Sequence, residues 1–86
     1  MTSAEISGLT PEQLKRSLPN GWTYNSSPNG KFIHIKDGRG AYRIRIDPPD
    51  RLTRYTHIHI FDSKGNSLDI SGNIVSPNNP NAHIPR

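Results

Sequence analysis

The chain contains no cysteine, so neither a disulfide framework nor a thiolate metal site can reinforce it. Apolar residues are also scarce, at 30% of 86 positions, and there are only six aromatics. No stretch approaches the roughly 20 consecutive apolar residues of a membrane span. The opening Met1-Thr2-Ser3-Ala4-Glu5 lacks the charged and apolar regions of a signal peptide. These absences predict one small soluble domain with a thin core, burying about 60–65% of its unfolded surface and having no stable membrane association. Acidic residues are outnumbered 7 to 11, which gives a net charge of +4 and favours a polyanionic partner without specifying it.

What is present is punctuation. Eight prolines and seven glycines cut the chain into short segments. Thr10-Pro11-Glu12-Gln13 reads as a helix start, with Thr10 as N-cap, Pro11 at the first helical position and Gln13 closing a capping box. Leu14 and Leu18 supply its apolar stripe, and Pro19-Asn20-Gly21 ends it. Strands are predicted over Trp22–Asn25, Lys31–Lys36, Ala41–Asp47 and Thr56–Phe61, with a weaker one at Leu68–Ile70. Pro28-Asn29-Gly30, Asp37-Gly38-Arg39-Gly40, Asp47-Pro48-Pro49-Asp50 and Ser63-Lys64-Gly65-Asn66 are the expected connections. Residues 1–9 and 76–86 are expected to be poorly regular, the second stretch pinned near its end by Ile84.

Period-two alternation assigns the faces. Ile33, Ile35, Ile44, Ile46, Ile58 and Ile60 fall on one side, with Tyr42 expected beside them. Leu14, Leu18 and Trp22 can cover that side. The other side collects His34, Lys36, Arg43, Arg45, His57 and His59, with Phe61 sharing it. The predicted fold is therefore α+β, an N-terminal helix packed on a small twisted antiparallel sheet of four to five strands, in a single domain over 1–86.

The segment Tyr55-Thr56-His57-Ile58-His59-Ile60-Phe61-Asp62 carries the chemistry, since same-face residues two apart sit about 6.5–7 Å from each other at the backbone. Two imidazoles at that spacing reach opposite sides of one phosphate, and each can act as acid or base near neutral pH. Metal-free RNA cleavage needs such a pair, and arginines to hold the charge on the phosphorane. His57, His59, Arg43 and Arg45 are the catalytic candidates, with His83 and His34 as secondary ones. Lys36, Arg54, Tyr55 and Phe61 are the candidates for substrate binding. Two other readings stay open. His-x-His can present two ligands to Zn²⁺, completed by His83 and Asp62 or Asp69, although Asp62 alternates to the other face and the arginines repel a cation. A non-catalytic nucleic-acid-binding module could use the same basic face, with Tyr42, Tyr55 or Phe61 stacking on bases.

From Gly21-Trp22 onward, Arg43-Ile44-Arg45-Ile46-Asp47-Pro48-Pro49, the histidine segment, Gly65-Asn66 and Ala82-His83-Ile84-Pro85 together resemble the C-terminal toxin domains of bacterial polymorphic and contact-dependent growth inhibition systems. These domains in turn resemble ribonucleases of the barnase, EndoU, colicin and RelE type. The resemblance implies a helix on a small antiparallel sheet, an RNA substrate that is often a tRNA, and no metal or other cofactor. It also implies a cognate immunity protein, expected to be acidic, and action with or without a host factor. The domain would be the secreted C-terminal part of a larger effector acting in the cytoplasm of a target bacterium. By that analogy His57 and His59 are acid and base in either order, and Arg43 or Arg45 is the phosphate ligand.

Overall fold

The computed structural model describes residues 2–49 and 54–85. Two short helices open the chain, α1 over Ser3–Ser7 and α2 over Pro11–Ser17. The capping box of α2 forms as expected: the Thr10 hydroxyl accepts from the Gln13 N–H at 3.2 Å, and Gln13 Oε1 accepts from the Thr10 N–H at 2.9 Å. Residues 1–9 were expected to be irregular, yet α1 is regular and capped by Thr2, whose side chain accepts from the Glu5 N–H.

Seven antiparallel strands follow: β1 (Thr23–Ser26), β2 (Ile33–Lys36), β3 (Tyr42–Asp47), β4 (His57–Phe61), β5 (Ser67–Leu68), β6 (Ile74–Val75) and β7 (Ile84–Pro85). Six of them run in sequence order, and β7 pairs with β4 off that path. The predicted weak strand at Leu68–Ile70 is instead the β5–β6 hairpin, with Ile70 in its turn. The tail from residue 76, expected to be irregular, forms a 3-10 turn at Pro80–Ala82 and then β7. The turn predicted at Asp47–Asp50 enters residues 50–53, which lie outside the described residues.

One core joins both ends of the chain. The six isoleucines of β2, β3 and β4 are all buried, packed with Ile6 of α1, Leu14 of α2 and Ile84 of the tail. Burying each such side chain contributes about 1.5–3 kcal/mol. This apolar face sets every register: Ile35 opposite Ile44, Ile33 opposite Ile46, Ile44 opposite Ile60 and Ile46 opposite Ile58. Ile84 pairs with Ile58, as its pinning role requires.

Tyr42 departs from the expected alternation. The β2–β3 register shifts between Ile35 and Lys36, so Lys36 lies opposite Tyr42 and Arg43 is the extra residue of a bulge. Tyr42 therefore joins the basic face, 43% exposed, with the His34 ring edge-on at 5.4 Å and Lys36 Nζ 4.8 Å from its centroid. The bulge also removes Arg43 from that face. Its guanidinium lies 4.7 Å from the Trp22 ring centroid, its Nε–H donates to the Phe61 carbonyl at 3.0 Å, and its Nη1 is 3.6 Å from Asp37.

Candidate active site

Antiparallel pairing lines up His34, Arg45 and His59 across β2, β3 and β4, with Asp47 opposite His57 on the adjacent rung. The tail then brings His83 onto the same spot. The ring centroids of His57 and His59 are 4.9 Å apart, those of His59 and His83 4.7 Å, and those of His57 and His83 5.4 Å. Three of the chain's four histidines thus form one cluster, and His34 stands two strands away from His59.

The three rings are not equivalent. His57 was expected to face solvent, but it is only 1% exposed, because its edge of β4 is covered by the returning tail at Pro85 and its ring by His83 and Tyr55. Its Nδ1–H donates to the Tyr55 carbonyl at 3.1 Å, which fixes the ring, since a carbonyl can only accept. His59 and His83 are only partly buried. His83 Nδ1–H donates to the Asn79 carbonyl at 3.4 Å, leaving Nε2 as its working nitrogen. Phe61 stacks beside His59, with centroids 6.4 Å apart. The Tyr55 hydroxyl donates to the His83 carbonyl at 3.1 Å.

Asp47, which was not among the expected site residues, is the anion at the centre. One oxygen, Oδ2, lies 2.8 Å from Arg45 Nη2, 3.6 Å from His59 Nε2 and 3.7 Å from His57 Nε2. Its position was available from the alternation, which puts Asp47 on the face of Arg45. Its other oxygen and the Arg45 Nε are buried without a hydrogen-bond partner among the described residues. The Arg45 side chain is still 40% exposed, so the guanidinium faces both Asp47 and solvent.

The electrostatics single out His59. Burial is the first cause of its low pKa; the neighbouring His83, His57 and Arg45 reinforce it and Asp47 opposes it, leaving the ring pushed down to about 4. At neutral pH His59 is an unprotonated imidazole able to accept a proton.

The metal completions considered from the sequence are not supplied by Asp62 or Asp69. Each carboxylate closes its own turn, with Asp62 Oδ1 accepting from the N–H of Lys64 and Asn66, and Asp69 Oδ1 from those of Ser71 and Asn73. Among the described residues the group whose geometry fits a cation is Asp47, His57 and His59, whose ligand atoms all lie within 4.8 Å of one another. Among the substrate-binding candidates, Lys36 lies on the basic face and Arg54 is exposed in the loop before β4. A hollow of ≈650 Å³ is on the helix side of the sheet between Ile6, Trp22, Arg43 and Ile60, away from the histidines.

A known family matches the chain over residues 9–86, a span that holds α2, the whole sheet and the histidine cluster. The chain belongs to the PT7 toxin protein family. It is thus a toxin domain, and no curated protein matches it. No described helix of this PT7 domain is long and apolar enough to cross a membrane.

Proposed function

We propose that this toxin domain is a metal-independent endoribonuclease that cleaves RNA, in particular tRNA, by attack of the 2′-OH on the adjacent phosphorus. The observation that carries this reading is the His59–His83 pair, two partly buried imidazoles with centroids 4.7 Å apart beside the Arg45 guanidinium. His59, neutral at physiological pH, takes the 2′-OH proton as O2′ bonds to phosphorus. His83 gives a proton to the departing 5′-oxygen as the P–O5′ bond breaks. The products are a 2′,3′-cyclic phosphate and a 5′-hydroxyl, and Arg45 holds the charge that builds on the non-bridging oxygens. His57 is a positioning residue in this scheme. Buried and anchored to Tyr55, it packs against both working rings. Arg43, turned toward Trp22 and Asp37, acts through the fold. Lys36, His34 and Arg54 extend the basic surface for further phosphates.

The family context supports the rest of the reading: a domain delivered as the end of a larger secreted effector into the cytoplasm of a target bacterium, neutralised by an acidic immunity protein over the basic face. The test is incubation with total bacterial tRNA with and without EDTA, followed by end-group analysis. EDTA-resistant cleavage leaving cyclic phosphate ends is expected; intact RNA under all conditions would refute the activity.

A second reading rests on the Asp47, His57 and His59 group. Its 3.6 and 3.7 Å contacts are too long for hydrogen bonds. They are close to the roughly 3.3 Å ligand–ligand spacing of a tetrahedral Zn²⁺ site. Arg45 on the same carboxylate opposes it. Cleavage abolished by EDTA would favour this alternative.

A further inference from the structure

The hollow next to His83 has no role in the scheme above. Its volume is ≈480 Å³, and Tyr55, Ile70, Pro80, Asn81, His83 and Ile84 line it. That lies within the roughly 300–1,000 Å³ of small-ligand sites and is ample for a nucleobase. We propose that it is a nucleobase pocket, seating the base of a nucleotide next to the scissile phosphate. This inference rests on the ribonuclease reading of His59 and His83.

The walls are apolar, exposed and held in place. Tyr55 is 42% exposed and Ile70 50%, so both present apolar surface to the hollow. Ile70 sits in a turn closed by Asp69, whose Oδ1 accepts from Ser71 and Asn73 at 2.9 and 2.8 Å, while Gly72 takes the φ of 85° the turn needs. The opposite wall is the 3-10 turn at Pro80–Ala82, capped by Asn79 Oδ1 accepting from the Asn81 N–H at 2.9 Å. The Tyr55 hydroxyl, bonded to the His83 carbonyl, ties the third wall to the tail. A flat ring entering this space meets rigid surfaces, with little ordering cost.

The chemistry of the lining selects a base over a phosphate. Among the described residues no lysine or arginine lines the hollow, and the one carboxylate there, Asp69, is turned into its own loop. Phosphate belongs at Arg45. The uncharged, planar part of a nucleotide suits the aromatic and aliphatic walls. On the rim, the exposed Asn81 amide offers a donor and an acceptor to a base edge. Because His83 lines the hollow and also faces His59, a base seated there places its own sugar-phosphate within reach of the pair.

The test uses the whole domain and uncleavable probes: fluorescein-labelled homopolymers of deoxyadenosine, deoxycytidine, deoxyguanosine and thymidine, and an abasic deoxyribose-phosphate chain of equal length. At least one homopolymer is expected to bind about tenfold or more tighter than the abasic chain. Ile70→Ala and Ile70→Asn should each lose most of that preference while binding the abasic chain unchanged. Equal affinity for base-bearing and abasic chains overturns the pocket, and is the result expected if the hollow takes an apolar side chain of a partner protein. Variants that weaken both probes equally also overturn it. Base-dependent binding without cleavage of the matching RNA would sustain the pocket and remove the ribonuclease reading; cleavage without base preference would do the reverse.

Discussion

The two faces of β4 are built from alternating residues of one short strand, yet they came to their surroundings by different routes. Ile58 and Ile60 are buried because the helices and neighbouring strands cover them, as the isoleucine pattern demands. His57 is buried just as deeply because residues 79–85 fold back over its edge and bring His83 with them. Alternation determines which side a residue occupies, and the rest of the chain determines whether that side is wet. Here the tail turns one end of a solvated basic face into a semi-enclosed site, and the resulting desolvation sets His59 apart from an ordinary surface histidine.

The largest contrast should come from placing a charge on the apolar side. Ile58→Asp puts an unpaired carboxylate where no solvent reaches, a cost that rivals the ~5–15 kcal/mol stability of a small domain. Far-UV circular dichroism should show an unfolded chain at 25 °C, whereas a folded variant would mean the isoleucine face tolerates water.

Acid titration probes the other face. His59 titrates near 6.5 when unfolded and at about 4 when folded, so between those values the unfolded chain binds a proton that the folded chain refuses. Stability is then full above pH 6.5 and falls as pH drops toward 4, by an amount on the order of 3 kcal/mol. His59→Gln should flatten that part of the pH profile in urea unfolding; an unchanged slope would show that His59 is not desolvated.

Within the cluster the two strand histidines should separate. His57→Ala removes a buried ring and its bond to Tyr55, and is expected to cost about 2 kcal/mol. His59→Ala should cost less than about 1 kcal/mol near pH 7. Equal losses in thermal melts would contradict the division between a positioning and a working ring. A comparably small effect belongs to the helix that covers the isoleucines: Thr10→Ala breaks the capping box of α2 and should lower stability by about 1 kcal/mol without touching activity.

Legibility followed the range of the interactions. The capping box, the six isoleucines of β2 to β4 and the turn at Ser63–Asn66 are local patterns, and each appears where its residues placed it. Two local signals were present but passed over. Thr2 and Glu5 repeat the spacing of Thr10 and Gln13 and begin α1. Asp69-Ile70-Ser71-Gly72-Asn73 repeats Asp62-Ser63-Lys64-Gly65-Asn66, with Gly65 and Gly72 at φ of 86° and 85°, and makes the β5–β6 hairpin. The β3 bulge had no such signal, because an extra residue is decided by packing across strands, and it exchanged the sides expected of Tyr42 and Arg43. The burial of His57 and the approach of His83 were equally hidden. They depend on a tail with one core isoleucine, whose docking is a contact distant in sequence. Asp47 lay on the expected face, but its role emerged only once Arg45, His57 and His59 were seen to converge on one oxygen.

The most direct test of the account is cleavage of tRNA by His57→Ala, His59→Ala and His83→Ala, each measured in EDTA at pH 7 beside its own melting curve. The account predicts that His59→Ala and His83→Ala stay folded and lose activity by at least about a hundredfold, while His57→Ala melts earlier and retains more activity than either. Full activity in His83→Ala, or loss confined to His57→Ala, would contradict the assignment of the His59–His83 pair as the acid and base.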